Sequence, residues 1–359
     1  MAGLLVGEKV YSAVSTPDNK KSFSTIASKV TGDYASKRPA PEARKFTSKA
    51  VEEQLKASKA RIKDPKLAWM FENCYPNTLD TTCEFKMVDG KPDTFVITGD
   101  IHAMWLRDSS AQVYPFVTLA KKDKDLRQML VGAINRQTAC ILIDPYANGF
   151  NEGPTGSEWE SDRTEMKKSF TSVNGRSTRF ATRSAWRIII GKRLAIPPYS
   201  TANGSRQWRP FTVPSREQQR KDSLGPYRFS RVTDRQGDTL LNDGWGSPVN
   251  PVGLIVSSFR PSDDATLFGF LVPSNLFAIT SLRQVAEILR VVRNNTDLAG
   301  RCEALAGEVE EAVKKYAIVE HPEFGKVYAF EVDGYGGQVF MDDANVPSLL
   351  ACRSWVAWT

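Results

Sequence analysis

Histidine is nearly missing from this chain. Its 359 residues hold two, His102 and His321, so a multi-histidine metal centre or a histidine-based nucleophile triad has no material to be built from. Cysteine is sparse as well: Cys74, Cys83, Cys140, Cys302 and Cys352 are too few and too scattered for a disulfide framework or a zinc ribbon, and core packing is the expected place for each. No stretch approaches the roughly 18 apolar residues that a bilayer-spanning helix needs. Met1–Lys20 has only the short apolar run Leu4-Leu5-Val6, so neither a signal peptide nor a membrane partner is expected. Acidic residues are absent from one whole window: between Lys167 and Arg216 there are 11 Lys and Arg and no Asp or Glu. Outside it 37 basic residues face 41 acidic ones, so this window supplies the entire net charge of +7. A basic nucleic-acid-binding loop would explain the charge, but the window lacks aromatic interleaving and matches no known module, so no nucleic-acid partner is expected.

What the chain has in quantity is core-forming material. It is 41% hydrophobic and 10% aromatic, with 8 Trp and 18 Phe, enough for one large domain or two ordinary ones. Residues 1–40 are polar and aperiodic and read as an exposed arm. From Ser48 the pattern turns helical, with Val51, Leu55 and Ile62 at helical spacing, and Asp64-Pro65 reads as the cap and first residue of a helix over Lys66–Cys74. Phe95-Val96-Ile97 is a short β-rich run. Met104–Leu119 and Leu126–Ile143 read as helices, the second halted by the turn signal Asp144-Pro145. Leu276, Ile279, Leu282, Ala286 and Leu289 mark one helix face, and Cys302, Leu305, Val309, Ala312 and Tyr316 the next. Phe324–Val332 suggests a hairpin strand, and Asp342-Asp343 the start of a last helix. The expected class is mainly α, with short β-hairpins.

Three loop-to-helix junctions place acids beside aromatic and arginine residues: Gly99 to Ser109, Asp144 to Asn148, and Phe259 to Ala265. A fourth, Met341 to Asn345, follows a glycine cluster. Any one junction is explained by helix capping, worth roughly 0.5–2 kcal/mol. Together they suit a sugar site, where rings stack on aromatics, Arg and Asn bridge hydroxyls, and paired acids handle protons. Adjacent acids such as Asp263-Asp264 also resist double ionisation, which favours a proton donor near neutral pH. Calcium is the other chemistry adjacent acids serve, but no run has EF-hand spacing.

At these junctions the chain resembles glycoside hydrolase family 125, metal-independent exo-acting α-1,6-mannosidases. The motifs are Asn77 to Thr82 (NTLDTT), Thr94 to Gln112 (TFVITGDIHAMWLRDSSAQ), Asp144 to Phe150 (DPYANGF), Gly225 to Arg231 (GPYRFSR), Ser257 to Ala265 (SSFRPSDDA) and Met341 to Leu350 (MDDANVPSLL). The resemblance implies an (α/α)6 toroid with the site in its mouth, an inverting mechanism, a mannose-containing glycan as partner, and no metal or other cofactor. The family's general acid falls on Asp263. Arg107, Asp108 and Arg260 are implied hydroxyl partners, with Trp105 and Tyr146 as walls; Asn148, Asp264, Asp342 and Asp343 line or brace the same bowl.

The sequence departs from the family in two places. A Glu-Ile-Asp-Ser-Leu-Cys-Tyr-Pro run expected soon after Glu165 is missing, and the acid-free window stands there. One permitted coding of Val173–Trp186, read two bases later, gives EWEIDSLCYPLRL, so residues 168–216 are expected to be an out-of-frame reading that interrupts a single domain over 41–359. Cys352–Trp358, shifted likewise, gives PFLGRL, which resembles the family's continuation after Ser-Leu-Leu. The family's general base, a Glu in a Met-His-Glu stretch, has no counterpart here. The expectation is an incomplete toroid, truncated at its C-terminus and inactive as written. The alternative is a sugar-binding pseudoenzyme.

Overall fold

The computed structural model describes residues 34–99, 101–165, 167–172 and 209–352. Most of the expected arm (1–33), most of the basic window (173–208) and the final residues 353–359 lie outside the described residues. Residues 34–40, the described end of that arm, are tied to the fold at two points, although Ala35, Ser36, Lys37 and Ala40 remain exposed. Trp69 Nε1 donates to the Ala35 carbonyl at 2.7 Å, and the buried Arg38 guanidinium reaches Asp80 at 2.7 Å and Glu52 at 2.5 Å.

Helices begin where short polar side chains can take up free amides. Asp64 accepts from Lys66 N and Leu67 N at 2.8 and 3.0 Å and opens Pro65–Cys74 with proline at its first position. Asp123 caps the long helix Lys124–Ile143 through one oxygen, while the other accepts from Ser48 Oγ at 2.6 Å and Ala50 N at 3.3 Å. One carboxylate thus joins two helix starts, because Ser48 itself caps Lys49–Lys59. The long helix lies on the antiparallel hairpin Cys83–Val88 and Lys91–Val96, with Phe95, Val96, Met129 and Leu130 buried between them. Gly132 permits that approach: a Cβ there would sit 2.3 Å from Thr94 Oγ1 and 2.8 Å from the Asp93 carbonyl carbon.

The second core is a helical hairpin, Val272–Val291 and Thr296–Tyr316, closed over Leu282, Val285, Leu289, Leu298, Leu305 and Val309. Asn295, in the link, caps the second helix by accepting from Leu298 N at 3.0 Å. These two faces follow the spacing read from sequence. A third cluster gathers Leu106, Phe150, Phe170, Tyr227, Phe229 and Phe259, of which Phe229 and Phe259 line the site's cavity.

Three sequence expectations fail locally. Met104–Leu119 is not one helix: Met104–Trp105 pairs as a strand with Gly149–Phe150, the helix runs Leu106–Val113, and a 3-10 turn follows at Tyr114–Phe116, where Pro115 has no amide to donate. Phe324–Val332 splits. Gly325–Tyr328 pairs with Ile318–His321, whereas Glu331–Val332 is the middle strand between Phe270–Leu271 and Gln338–Val339. No helix opens at Asp342-Asp343, since residues 341–351 are loop and turn; the two carboxylates cap loop amides instead. Cys74 is exposed and so is not core, Cys352 is half-buried and packs against the second core, and burial pushes the Cys83 thiol up to about 12. Among the described residues the protein is mainly helical with small antiparallel sheets.

Candidate active site

A cavity of about 330 Å³ opens between the start of the helix Leu106–Val113 and the segments that carry Trp159, Arg231 and Asp263. One wall is the junction read from sequence. Trp105 ends its two-residue strand with its amide on Thr98 Oγ1 at 3.0 Å, and Arg107 and Asp108 follow in the first turn of Leu106–Val113. Asp108 Oδ1 accepts from Arg107 Nη2 at 3.1 Å, and its Oδ2 has no hydrogen-bond partner among the described residues. The opposite wall carries Phe259 and Asp263. Trp159 and Arg231 complete the lining with Asp238. Trp159 stands edge-on to Trp105, ring centroids 6.4 Å apart. Arg231 is held in a two-pronged pair by the buried Asp162, both contacts at 2.6 Å, and lies over the Trp159 and Phe229 rings. Those hydrogen bonds to Asp162 outweigh burial and raise the guanidinium above its ordinary range.

Asp263 sits at φ +74, in the left-handed region that ordinary side chains rarely adopt. Its turn is closed internally by Arg260 N on the Asp264 carbonyl at 2.8 Å and Asp263 N on the Arg260 carbonyl at 3.2 Å. It is also held from outside. Arg107 Nη1 donates to the Pro261 carbonyl at 3.0 Å, tying the two walls together across 154 residues of sequence. Ser262 N donates to Asp343 Oδ2 at 3.1 Å. Burial opposes ionisation of Asp343, but the amides of Asn345 and Ser262, with both side chains, prevail and hold its carboxyl below the usual range. A carboxyl depressed in the folded state contributes stability that is present above its unfolded pKa, near 3.9, and is lost as pH falls through the folded value. Below about pH 4, then, the Asp343 grip on Ser262 is expected to weaken. Earlier exchange of the Ser262 amide in D343N than in the unsubstituted chain at neutral pH checks this; identical exchange would contradict it.

The other residues singled out from sequence separate. Tyr146 lines a second cavity of about 460 Å³ with Asp144, Arg163, Tyr227 and Arg228, and it stacks on Tyr227 at 5.5 Å. Burial, and then its hydrogen bond to Glu217 at 2.7 Å, raise the Tyr146 phenol well above its ordinary value, so it stays protonated. Asn148 is buried at 3% exposure and lines neither cavity. Arg260 is also absent from the lining; its Nε goes to Glu331 at 2.6 Å. Asp264 accepts from Ser262 Oγ at 3.2 Å. Asp342 accepts from Leu349 N and Leu350 N. Of the residues singled out from sequence, Trp105, Arg107, Asp108 and Asp263 line one cavity, beside Trp159, Arg231 and Asp238, which were not singled out. Asp162 comes three residues after Trp159 and Arg231 two after Phe229, in acid- and arginine-rich runs, but nothing local joins the pair.

Among the described residues one group offers three metal-type donors within 4.8 Å: Glu84, His102 and Glu152. Lys45 pairs with Glu84 and Lys86 with Glu152, so both carboxylates already face ammonium groups. None of the three lines the Asp263 cavity.

A solved Streptococcus pneumoniae metal-independent α-mannosidase, in a non-productive substrate complex with α-1,6-mannobiose, superposes with a TM-score of 0.81 at 36% identity, covering 88% of this chain and 74% of that one. The helical scaffold with its small sheets is thus of the metal-independent α-mannosidase kind. The family described as metal-independent alpha-mannosidase (GH125) matches residues 64–183 and 205–357, and the chain belongs to it. The unmatched interval 184–204 falls inside the acid-free window. The Schizosaccharomyces pombe meiotically up-regulated gene 157 protein is 36% identical over 345 residues, 88% of this chain; the chain spans 65% of that relative's length.

Proposed function

We propose that the chain removes terminal α-1,6-linked mannose from a glycan with inversion and without metal, Asp263 serving as general acid. The observation that carries this reading is the convergence of Asp263 with Trp105, Arg107 and Asp108 on one cavity, from segments far apart in sequence. Trp105 and Trp159 supply apolar ring faces and edges for the sugar. Arg231, Arg107 and the unpaired Asp108 Oδ2 supply donors and an acceptor for its hydroxyls. Asp263 gives its proton to the bridging oxygen as the C1–O bond breaks, and a water attacks C1 from the opposite face and loses a proton to a base. By resemblance that base is the Glu of the Met-His-Glu stretch. An (α/α)6 toroid belongs to the same proposal.

Proton NMR of α-1,6-mannobiose digestion checks the reaction. The first-formed mannose is expected to be the β anomer, at a rate unchanged by EDTA. Release of the α anomer first, or loss of activity on chelation, would overturn the proposal.

A further inference from the structure

We propose that Glu331 is the positioning residue of the proton donor, a carboxylate that never touches substrate but sets where Asp263 points. The inference rests on the reading of Asp263 as the acid. Glu331 lies on the middle strand of a three-stranded sheet, fully buried at 0% exposure and outside the cavity lining. Its Oε1 accepts from Arg260 Nε at 2.6 Å, and its Oε2 accepts from both Leu267 N and Phe268 N at 2.9 Å. These partners stand on either side of Asp263 in sequence, so one side chain clasps both legs of the turn that carries the acid.

The clasp has a physical purpose at that point. A non-glycine residue at φ +74 persists only where its surroundings over-determine it. Arg107 and Asp343 each contribute one hydrogen bond near the tip, to the Pro261 carbonyl and the Ser262 amide. Glu331 contributes three, at the base, from an element anchored in the second core. Arg260 also packs over the Phe330 ring at 5.7 Å, so the guanidinium is held by the residue next to Glu331 as well. Loss of the Glu331 charge leaves Arg260 without its partner and frees both legs together.

The test uses the full chain with E331Q, which keeps side-chain size, and R260Q, which cuts one of the three bonds. Hydrogen exchange is read at residues 260–268, and turnover is measured with enzyme in excess on two substrates. α-1,6-Mannobiose needs its leaving oxygen protonated; 2,4-dinitrophenyl α-mannoside does not. E331Q is expected to speed exchange in 260–268 while sparing the helix Thr296–Tyr316, and to slow mannobiose turnover about 10²-fold. The activated mannoside should stay within about threefold. R260Q should fall between E331Q and the unsubstituted chain on both readouts. Unchanged exchange in 260–268, or equal slowing of both substrates, overturns the inference. D263N separates the two claims. If it shows the substrate split and E331Q does not, the inference fails alone; if D263N slows both substrates alike, the acid assignment fails and the inference with it.

Discussion

D263N lowers turnover of α-1,6-mannobiose by about 10²–10⁴-fold, the range that general-acid assistance supplies, and leaves KM near its original value. Asparagine is the informative replacement. It is nearly isosteric, and it tolerates φ +74 better than most residues, so backbone strain does not confuse the result. The side chain is on the exposed side of its turn, so the melting temperature is expected to hold. Steady-state kinetics beside a thermal melt gives both numbers. Turnover within about threefold of the unsubstituted chain would remove Asp263 from the proton-donor role.

G132A destabilises the packing of the helix Lys124–Ile143 on its hairpin by about 1–3 kcal/mol, although alanine is the better helix former by roughly 1 kcal/mol. The added methyl meets Thr94 Oγ1 at 2.3 Å and strand backbone at 2.8 and 2.9 Å. Thr94 cannot simply swing away, because its hydroxyl donates to the Met129 carbonyl at 2.7 Å inside a buried contact. Relief requires the helix Lys124–Ile143 to move off the hairpin, opening the core around Phe95 and Met129. Urea unfolding measures the effect; equal or greater stability for G132A would show that the helix and hairpin lie further apart than described. The same loss should reach the site, because that hairpin leads directly into Thr98, Ile101 and Trp105.

The parts of the fold legible in sequence are those governed by neighbours along the chain. Asp64 before Pro65, and the apolar repeats from Leu276 to Leu289 and Cys302 to Tyr316, are local patterns, and the helices follow them. The Trp105-Arg107-Asp108 junction was legible for the same reason, even though Met104–Trp105 proved to be strand: its strand partner, Gly149–Phe150, is remote. Arg260 is implied as a hydroxyl partner by the resemblance, and its Nε is held by Glu331, 71 residues away. No spacing rule announces that pairing. Trp159 and Arg231 come from loops and Asp238 from the 3-10 turn Gln236–Asp238, segments without periodicity that only the fold gathers. Tyr146 shares a motif with Asp144 and Asn148, but stacking on Tyr227 draws it into the neighbouring cavity. Asp342 and Asp343 looked like a helix start because acids that cap helices and acids that cap loop amides use the same chemistry.

The most direct measurement is a crystal of the chain soaked with α-1,6-mannobiose. A mannosyl ring against Trp105 and Trp159, its hydroxyls on Asp108 and Arg231 and its bridging oxygen within hydrogen-bond reach of Asp263, is the predicted result. Sugar density confined to the Tyr146 cavity, or an empty Asp263 cavity at saturating disaccharide, would contradict it.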